Sequence, residues 1–188
     1  MNSPSEDQLI IDRILAGDHT ACNSLVFRHQ TYVYTLVWRM LKNKEDTEEV
    51  TQDVFIKALK KLPGFRKESK FSTWLYRIAY NESISFLRRQ RNLQSLDDNS
   101  PEPQIEARAI DSLKEEERLR YIQQALDQLQ AEDAAILTMF YLQDLSLQEI
   151  ADITGQQSNT LKVRLHRARK RMLHKMETLL AHEVTSLL

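Results

Sequence analysis

The sequence predicts an all-α fold: two small helical domains joined by a flexible linker, the second containing a helix-turn-helix. Three observations predict it. The 188 residues include only three glycines and four prolines. Gly17, Pro63-Gly64 and Gly155 fall where helical patterns end, while Pro101 and Pro103 mark a linker. The stretches between these breakers are rich in Leu, Glu, Gln, Lys and Arg, residues that lose little rotamer freedom in a helix. Apolar residues, 41% of the chain, recur at helical spacing, and the turn punctuation of a strand-rich fold is missing.

The first domain is expected over residues 6–92. A first helix covers Glu6 to Ala16. A second run, Cys22 to Leu41, places Leu25, Val26, Val33, Leu36, Val37, Met40 and Leu41 at helical spacing. Asp46 to Leu62 forms a third helix with Val50, Val54, Ala58 and Leu62 inward, stopped by Pro63-Gly64. After a polar loop, Ser72 or Thr73 is expected to cap a fourth helix that runs through Arg88 or beyond. Residues 93–112 are acidic, contain both linker prolines and read as flexible. The second domain is expected over 113–182.

Its segment SLQEIADITGQQSNTLKVRLHRARKRMLHK (146–175) reads as two helices around a tight turn. Ser146 and Glu149 have capping-box spacing, in which each side chain satisfies a free backbone N–H. Leu147, Ile150 and Ala151 give one turn of apolar face, and Gly155 stands where a chain leaves a helix in the left-handed conformation. The next helix starts near Ser158 or Asn159. This is the helix-turn-helix pattern, whose second helix enters the DNA major groove. At about 100° per residue, Leu161, Leu165, Ala168 and Met172 form an inward stripe. Asn159, Thr160, Val163, His166, Arg167 and Lys170 lie opposite, flanked by Lys162, Arg164, Arg169 and Arg171. No acid occurs between Asp152 and Glu177. A merely solvated face usually alternates its charge signs; this one does not, which suits phosphate binding.

The formal net charge of -1 conceals segregation. Acid gathers in KEDTEEVTQD (44–53) and around Asp111 to Glu117; base gathers in Phe65 to Arg91 and in the last long helix. Separated patches let one chain meet an anionic and a cationic partner. Asp46, Glu49 and Asp53 share one helix side, either a solvated face or a docking face. The segment FRKESKFSTWLYRIAYNESISFLRRQR (65–91) interleaves aromatics with bases, as proteins that hold unstacked bases do. Trp74, Leu75, Ile78 and Ala79 also have core spacing there, so the polar loop before them is the better candidate for base contact. The single Cys22 excludes an internal disulfide and a thiolate zinc site. No Gly-rich phosphate loop occurs, and none of the five His stands three residues after a Glu or four from another His. An enzyme is therefore not expected, nor are catalytic residues, metal ligands, cofactors or a small-molecule substrate. The absence of a signal peptide or bilayer-spanning run predicts a cytoplasmic protein.

DTEEVTQDVFIKALKKLPGFRKESKFSTWLYRIAYNESISFLRR (46–89) resembles region two of the bacterial extracytoplasmic-function sigma factors, in the sigma-70 superfamily. SLQEIADITGQQSNTLKVRLHRARKRM (146–172) resembles their region four. The resemblance extends from about Leu9 to Met176. It implies an alternative sigma factor that directs core RNA polymerase to a restricted, stress- or envelope-responsive promoter set. It also implies that Asp46, Glu49 and Asp53 dock on the polymerase clamp, and that region four meets the flap. Phe65, Arg66, Lys67, Lys70, Phe71, Arg77, Asn81, Arg88 and Arg89 would form the minus-ten DNA area, where a base is flipped out. Lys162, Val163, His166 and Arg167 would read the minus-thirty-five element, with Asn159, Thr160, Arg164 and Arg169 near phosphates and Lys170 also in the DNA-binding set. Val163 stands where relatives often carry a hydroxyl; a valine can instead contact a thymine methyl. Promoter DNA and an anti-sigma protein, membrane-bound in many family members, complete the implied partners. The alternative is a helix-turn-helix regulator acting without polymerase. It leaves the acidic helix and the aromatic-basic segment without a purpose.

Overall fold

The computed structural model describes residues 6–93 and 115–186, and every regular element among them is a helix. Helix α1 (Glu6–Leu15) gives way to Gly17, whose φ of 99° suits a residue without a Cβ. Helix α2 (Ala21–Leu41) turns Leu25, Val33, Leu36, Val37 and Met40 inward and ends at Lys42, whose N–H bonds the Trp38 carbonyl. Asn43 caps α3 (Lys44–Lys61), its side chain accepting the Asp46 N–H at 2.9 Å. A 3-10 turn, Leu62–Gly64, ends α3 and buries Leu62.

Helix α4 runs Phe71–Leu93. Its start corrects the expectation of a cap at Ser72 or Thr73. Both lie inside the first turn, where the Trp74 N–H already bonds the Lys70 carbonyl at 3.2 Å. Phe71 belongs to the core, so the helical conformation must begin at Phe71 to aim its ring inward. The expected linker, 93–112, lies outside the described residues except for Leu93. The second unit contains α5 (Glu115–Asp127), α6 (Ala131–Leu137), a single π turn (Thr138–Leu142), α7 (Leu147–Thr154) and α8 (Ser158–Ser186).

The two units pack against each other. One continuous cluster of buried apolar side chains includes Leu36, Val54 and Leu75 of the first unit and Ile136, Ile150 and Leu161 of the second. Helix α4 is the shared element, lying on α2, α3 and α7, while α2 also meets α6. Full burial of one such Leu or Ile stabilises by about 1.5–3 kcal/mol. A smaller cluster of Tyr121, Ala125, Met176 and Leu180 joins α5 to the far half of α8.

Polar contacts edge this seam. Arg39, only 5% exposed, donates to Asp127 at 2.6 Å and also bonds Gln123. Lys42 donates to the Leu129 carbonyl, and burial lowers its ammonium pKa against the opposing pull of Asp127. Gln143 donates to the Tyr32 carbonyl at 3.2 Å. Lys70 meets Glu149 at 2.9 Å.

Glu149 also completes a capping box with Ser146. Its carboxylate accepts the Ser146 N–H at 2.9 Å, and the Ser146 hydroxyl accepts the Glu149 N–H at 3.2 Å. The hydrogen bond from Lys70, then that from the Ser146 backbone, hold the Glu149 carboxyl below its usual value of 4.5. A depressed carboxyl stabilises the fold above its unfolded pKa, and this contribution is lost as pH falls through the folded value. Glu149→Gln is therefore expected to lower stability near pH 7 and to flatten the acid limb below about pH 4.5. Urea melts across that range check it; identical acid limbs in parent and variant would refute the linkage.

Candidate nucleic-acid interface

The helix-turn-helix is built from α7, the turn and the first half of α8. Gly155 closes α7 with φ 71°, its N–H bonding the Ala151 carbonyl at 2.8 Å. A non-glycine residue at this angle is strained. The hydroxyl of Ser158 donates to Gln148 at 3.1 Å, tying the start of α8 back to α7. Ile150, Ala151 and Ile153 of α7 face Leu161, Leu165 and Ala168 of α8 in the core, with Met172 packed against it. The predicted inward stripe is the one buried.

The outward side of α8 is then open. Asn159, Thr160, Lys162, Val163, His166, Arg167, Arg169 and Lys170 are all exposed. Val163 is 52% exposed although apolar, so it is available to meet a methyl group. The Arg169 guanidinium stands 5.9 Å from the centre of the Tyr141 ring, within cation–π range.

Arg164, also expected near phosphates, is half-buried where Asn159, Thr160 and Arg169 are exposed. It is turned toward α6, with Nη1 at 2.5 Å from Glu132 and Nε donating to Asp133 at 3.2 Å. Burial alone would lower its pKa, yet Glu132 and Asp133 outweigh that and raise it. Arg171 donates to the other oxygen of Asp133 at 2.8 Å. Asp133 is 1% exposed. Sequence reading missed this carboxylate because its partners lie 31 and 38 residues away, and no local pattern joins them.

In the first unit the aromatics and the bases separate. Phe65, Phe71 and Trp74 stack into one cluster with centroid separations of 5.2–5.8 Å, and His29 meets Phe71 edge-on. Phe71 is buried and Phe65 half-buried, so both expected base contacts serve packing in this arrangement. Tyr76 and Tyr80 are buried as well. Burial, then the nearby Glu132, push the Tyr80 phenol up to about 12. Arg66, Lys67, Lys70, Arg77, Asn81, Arg88 and Arg89 are exposed. Two of the lysines are engaged: Lys67 with Asp12 at 3.0 Å and Lys70 with Glu149. The Lys67 hydrogen bond holds the Asp12 carboxyl below its ordinary value. A cleft of about 260 Å³ between the units is lined in part by Tyr32, Lys70, Tyr76 and Gln143.

On α3, Glu49 and Asp53 are exposed, with Ile56 beside them 49% exposed. Asp46 is half-buried and accepts from Gln90 at 3.1 Å. Among the described residues no group of His, Cys, Asp and Glu is placed to hold a metal ion, and no helix is long and apolar enough to cross a membrane.

Comparison with known proteins places these surfaces in a family. Residues 25–93 match sigma-70 region 2, and residues 119–172 match sigma-70 region 4. The chain is 34% identical over 194 residues to the ECF RNA polymerase sigma-E factor of Escherichia coli (strain K12), covering 96% of this chain and 99% of that protein. It is 33% identical over 144 residues to the RNA polymerase sigma factor SigV of Bacillus subtilis (strain 168), covering 77% of this chain and 84% of that one. Two solved structures share the fold at 22% identity and a TM-score of 0.64. CnrH, in complex with the cytosolic domain of CnrY, covers 94% of this chain and aligns over 97% of its own. The sigma factor RpoE of Bartonella quintana, in complex with the anti-sigma factor NepR, covers 82% and aligns over 96%. With both sigma-70 regions matched in order, and a curated relative matched over nearly its full length, the chain belongs to the ECF sigma factors, transcription initiation factors of the sigma-70 class.

Proposed function

We propose that this protein is an alternative sigma factor that acts in the bacterial cytoplasm, performs no bond chemistry, and brings core RNA polymerase to promoters. The observation that carries this reading is the presence, in one chain, of an acid-free exposed face on α8, an exposed acidic face on α3 and a basic surface on the loop before α4. A regulator that binds duplex DNA alone needs only the first. The test is run-off transcription by core polymerase on genomic fragments, with and without the protein. New discrete starts sharing an upstream motif are expected; their absence with folded protein would reject the reading in favour of a duplex-binding regulator.

The roles follow from the surfaces. Glu49 and Asp53, with Asp46 at the start of the same helix, dock on the polymerase clamp, where acid meets base. Arg66, Lys67, Lys70, Arg77, Asn81, Arg88 and Arg89 line the path of the melted minus-ten strand, with Phe65 and Phe71 beneath as packing support. Extruding a base costs a few kcal/mol, so a site that pairs with the flipped base recovers that energy only for the right sequence. Lys162, Val163, His166, Arg167 and Lys170 read the minus-thirty-five element, while Asn159, Thr160 and Arg169 hold phosphates. An anti-sigma protein is the expected inhibitor, and stress at the cell envelope the expected class of signal.

Two variants separate these roles. Glu49→Arg combined with Asp53→Arg is expected to weaken core binding at least tenfold, about 1.4 kcal/mol, without lowering thermal stability. Undiminished core affinity, measured by fluorescence anisotropy, would remove α3 from the docking surface. Arg167→Ala is expected to cost about 1–3 kcal/mol in discrimination at one upstream base pair. An unchanged ranking of promoters by the variant holoenzyme would show that Arg167 does not read bases.

A further inference from the structure

The clamp between α6 and α8 has a geometry that packing alone does not require. Asp133 is 1% exposed and lies on α6 among Ala134, Ala135, Ile136 and Leu137, all buried. Its two oxygens hold two different arginines of α8. Oδ1 accepts from Arg164 Nε at 3.2 Å, and Oδ2 accepts from Arg171 Nε at 2.8 Å and lies 2.7 Å from Arg171 Nη2. Glu132 adds a second oxygen on Arg164 at 2.5 Å. Arg164 and Arg171 are seven residues apart, two helical turns on one side, about 10 Å along the axis.

An apolar stripe holds a helix down but resists rolling weakly, because dispersion and burial are non-directional. Leu161, Leu165 and Ala168 are such a stripe. Charge-assisted hydrogen bonds are directional. Two of them, one beside Leu165 in the middle of the stripe and one almost a turn beyond Ala168, converge on a single fixed carboxylate and so fix both roll and slide. The outward residues depend on that setting. A roll of about 30° moves a side chain at the rim of a helix about 12 Å across by about 3 Å, more than the whole range of a hydrogen bond. A buried ion pair is also a poor device for stability, since apolar residues of similar volume often serve as well or better. Arg164 is held with its charge fixed: its pKa stays raised despite burial.

Resting on the sigma reading above, we infer that Asp133 is a positioning residue for upstream DNA recognition, setting the roll of α8 through Arg164 and Arg171 so that Lys162, Val163, His166 and Arg167 meet base edges. Asp133 touches no DNA itself. The carboxylate carries sequence discrimination rather than docking on the polymerase clamp, which belongs to the other unit.

The experiment compares full-length parent, Asp133→Asn, and the triple variant Asp133→Leu, Arg164→Met, Arg171→Met as holoenzymes. Asparagine keeps the shape and removes the charge; the triple variant replaces the clamp with apolar packing and guards against simple unfolding. Each is assayed on a promoter recovered by run-off mapping and on the same promoter with its upstream element scrambled, alongside a thermal melt and core binding. The readout is the ratio of initiation on the two templates. The parent is expected to favour the native element, and both variants to lose at least about fivefold of that preference, the scale of one misplaced base contact, while melting cooperatively and binding core as the parent does. A preserved ratio in either folded variant overturns the inference. An equal drop on both templates also overturns it, since Asp133 would then serve folding alone. A parent that initiates on neither template defeats the sigma reading and the inference together, and the parent lane tells that outcome from failure of the clamp.

Discussion

The burial of α4 on three sides is the constraint on which the rest of the molecule depends. Leu75 and Ala79 are fully enclosed, and Tyr76 and Tyr80 nearly so. A helix that packs on α2, α3 and α7 at once cannot shift without disturbing both units. Its first residue, Phe71, is committed to the aromatic cluster with Phe65 and Trp74. That cluster holds the loop between residues 65 and 71 in place, with Lys67 at φ 60°. The basic side chains of that loop therefore stand on a rigid aromatic floor, which is how a surface segment can present charge in a defined pattern.

Charge in this protein is divided between the inside and the outside. Arg39, Arg164 and Arg171 are drawn into ion pairs at helix contacts, with Asp127, Glu132 and Asp133 as their partners. Lys57 likewise pairs with Glu82 between α3 and α4. Asp133 alone among these carboxylates is buried, and a buried carboxylate left without its cation would bear a large desolvation cost, so its pairs also dictate that α6 and α8 are neighbours. Exposed bases cluster on the outward side of α8 and on the loop before α4 and its outer side, and exposed acids cluster in the first half of α3. Net charge near zero thus coexists with surfaces of opposite sign.

What was legible in the sequence was what local spacing determines. The capping box at Ser146, the left-handed exit at Gly155 and the inward stripe from Leu161 to Ala168 all depend on neighbours within a few residues, and the structure has them where the pattern placed them. The start of α4 was misread because Ser72 and Thr73 are good cap types, while the demand that fixed the helix start, burial of the Phe71 ring beside His29, comes from α2. The inward ion pairs of Arg164 were not legible for the same reason. By helical angle this residue flanks the exposed side, and only a carboxylate from α6 draws it inward. The aromatic-basic segment was half legible: core spacing marked Trp74 as a packing residue, but not that Phe65 and Phe71 would join it through contacts with each other and with His29 of α2.

The seam between the units has a physical character that bears on the sigma reading. On the proposed reading, a minus-ten element on α4 and a minus-thirty-five element on α8 lie about 25 base pairs apart on one duplex, about 85 Å at about 3.4 Å per pair. Lys70 and Glu149 touch at 2.9 Å, so this arrangement cannot serve both elements at once. The polar part of the seam is made to exchange partners: Lys70 and Glu149 would each find water on parting, and such exposed pairs contribute about 0–1 kcal/mol. The larger cost lies in the apolar contact of α4 with α7, whose buried side chains belong to one continuous cluster shared by both units.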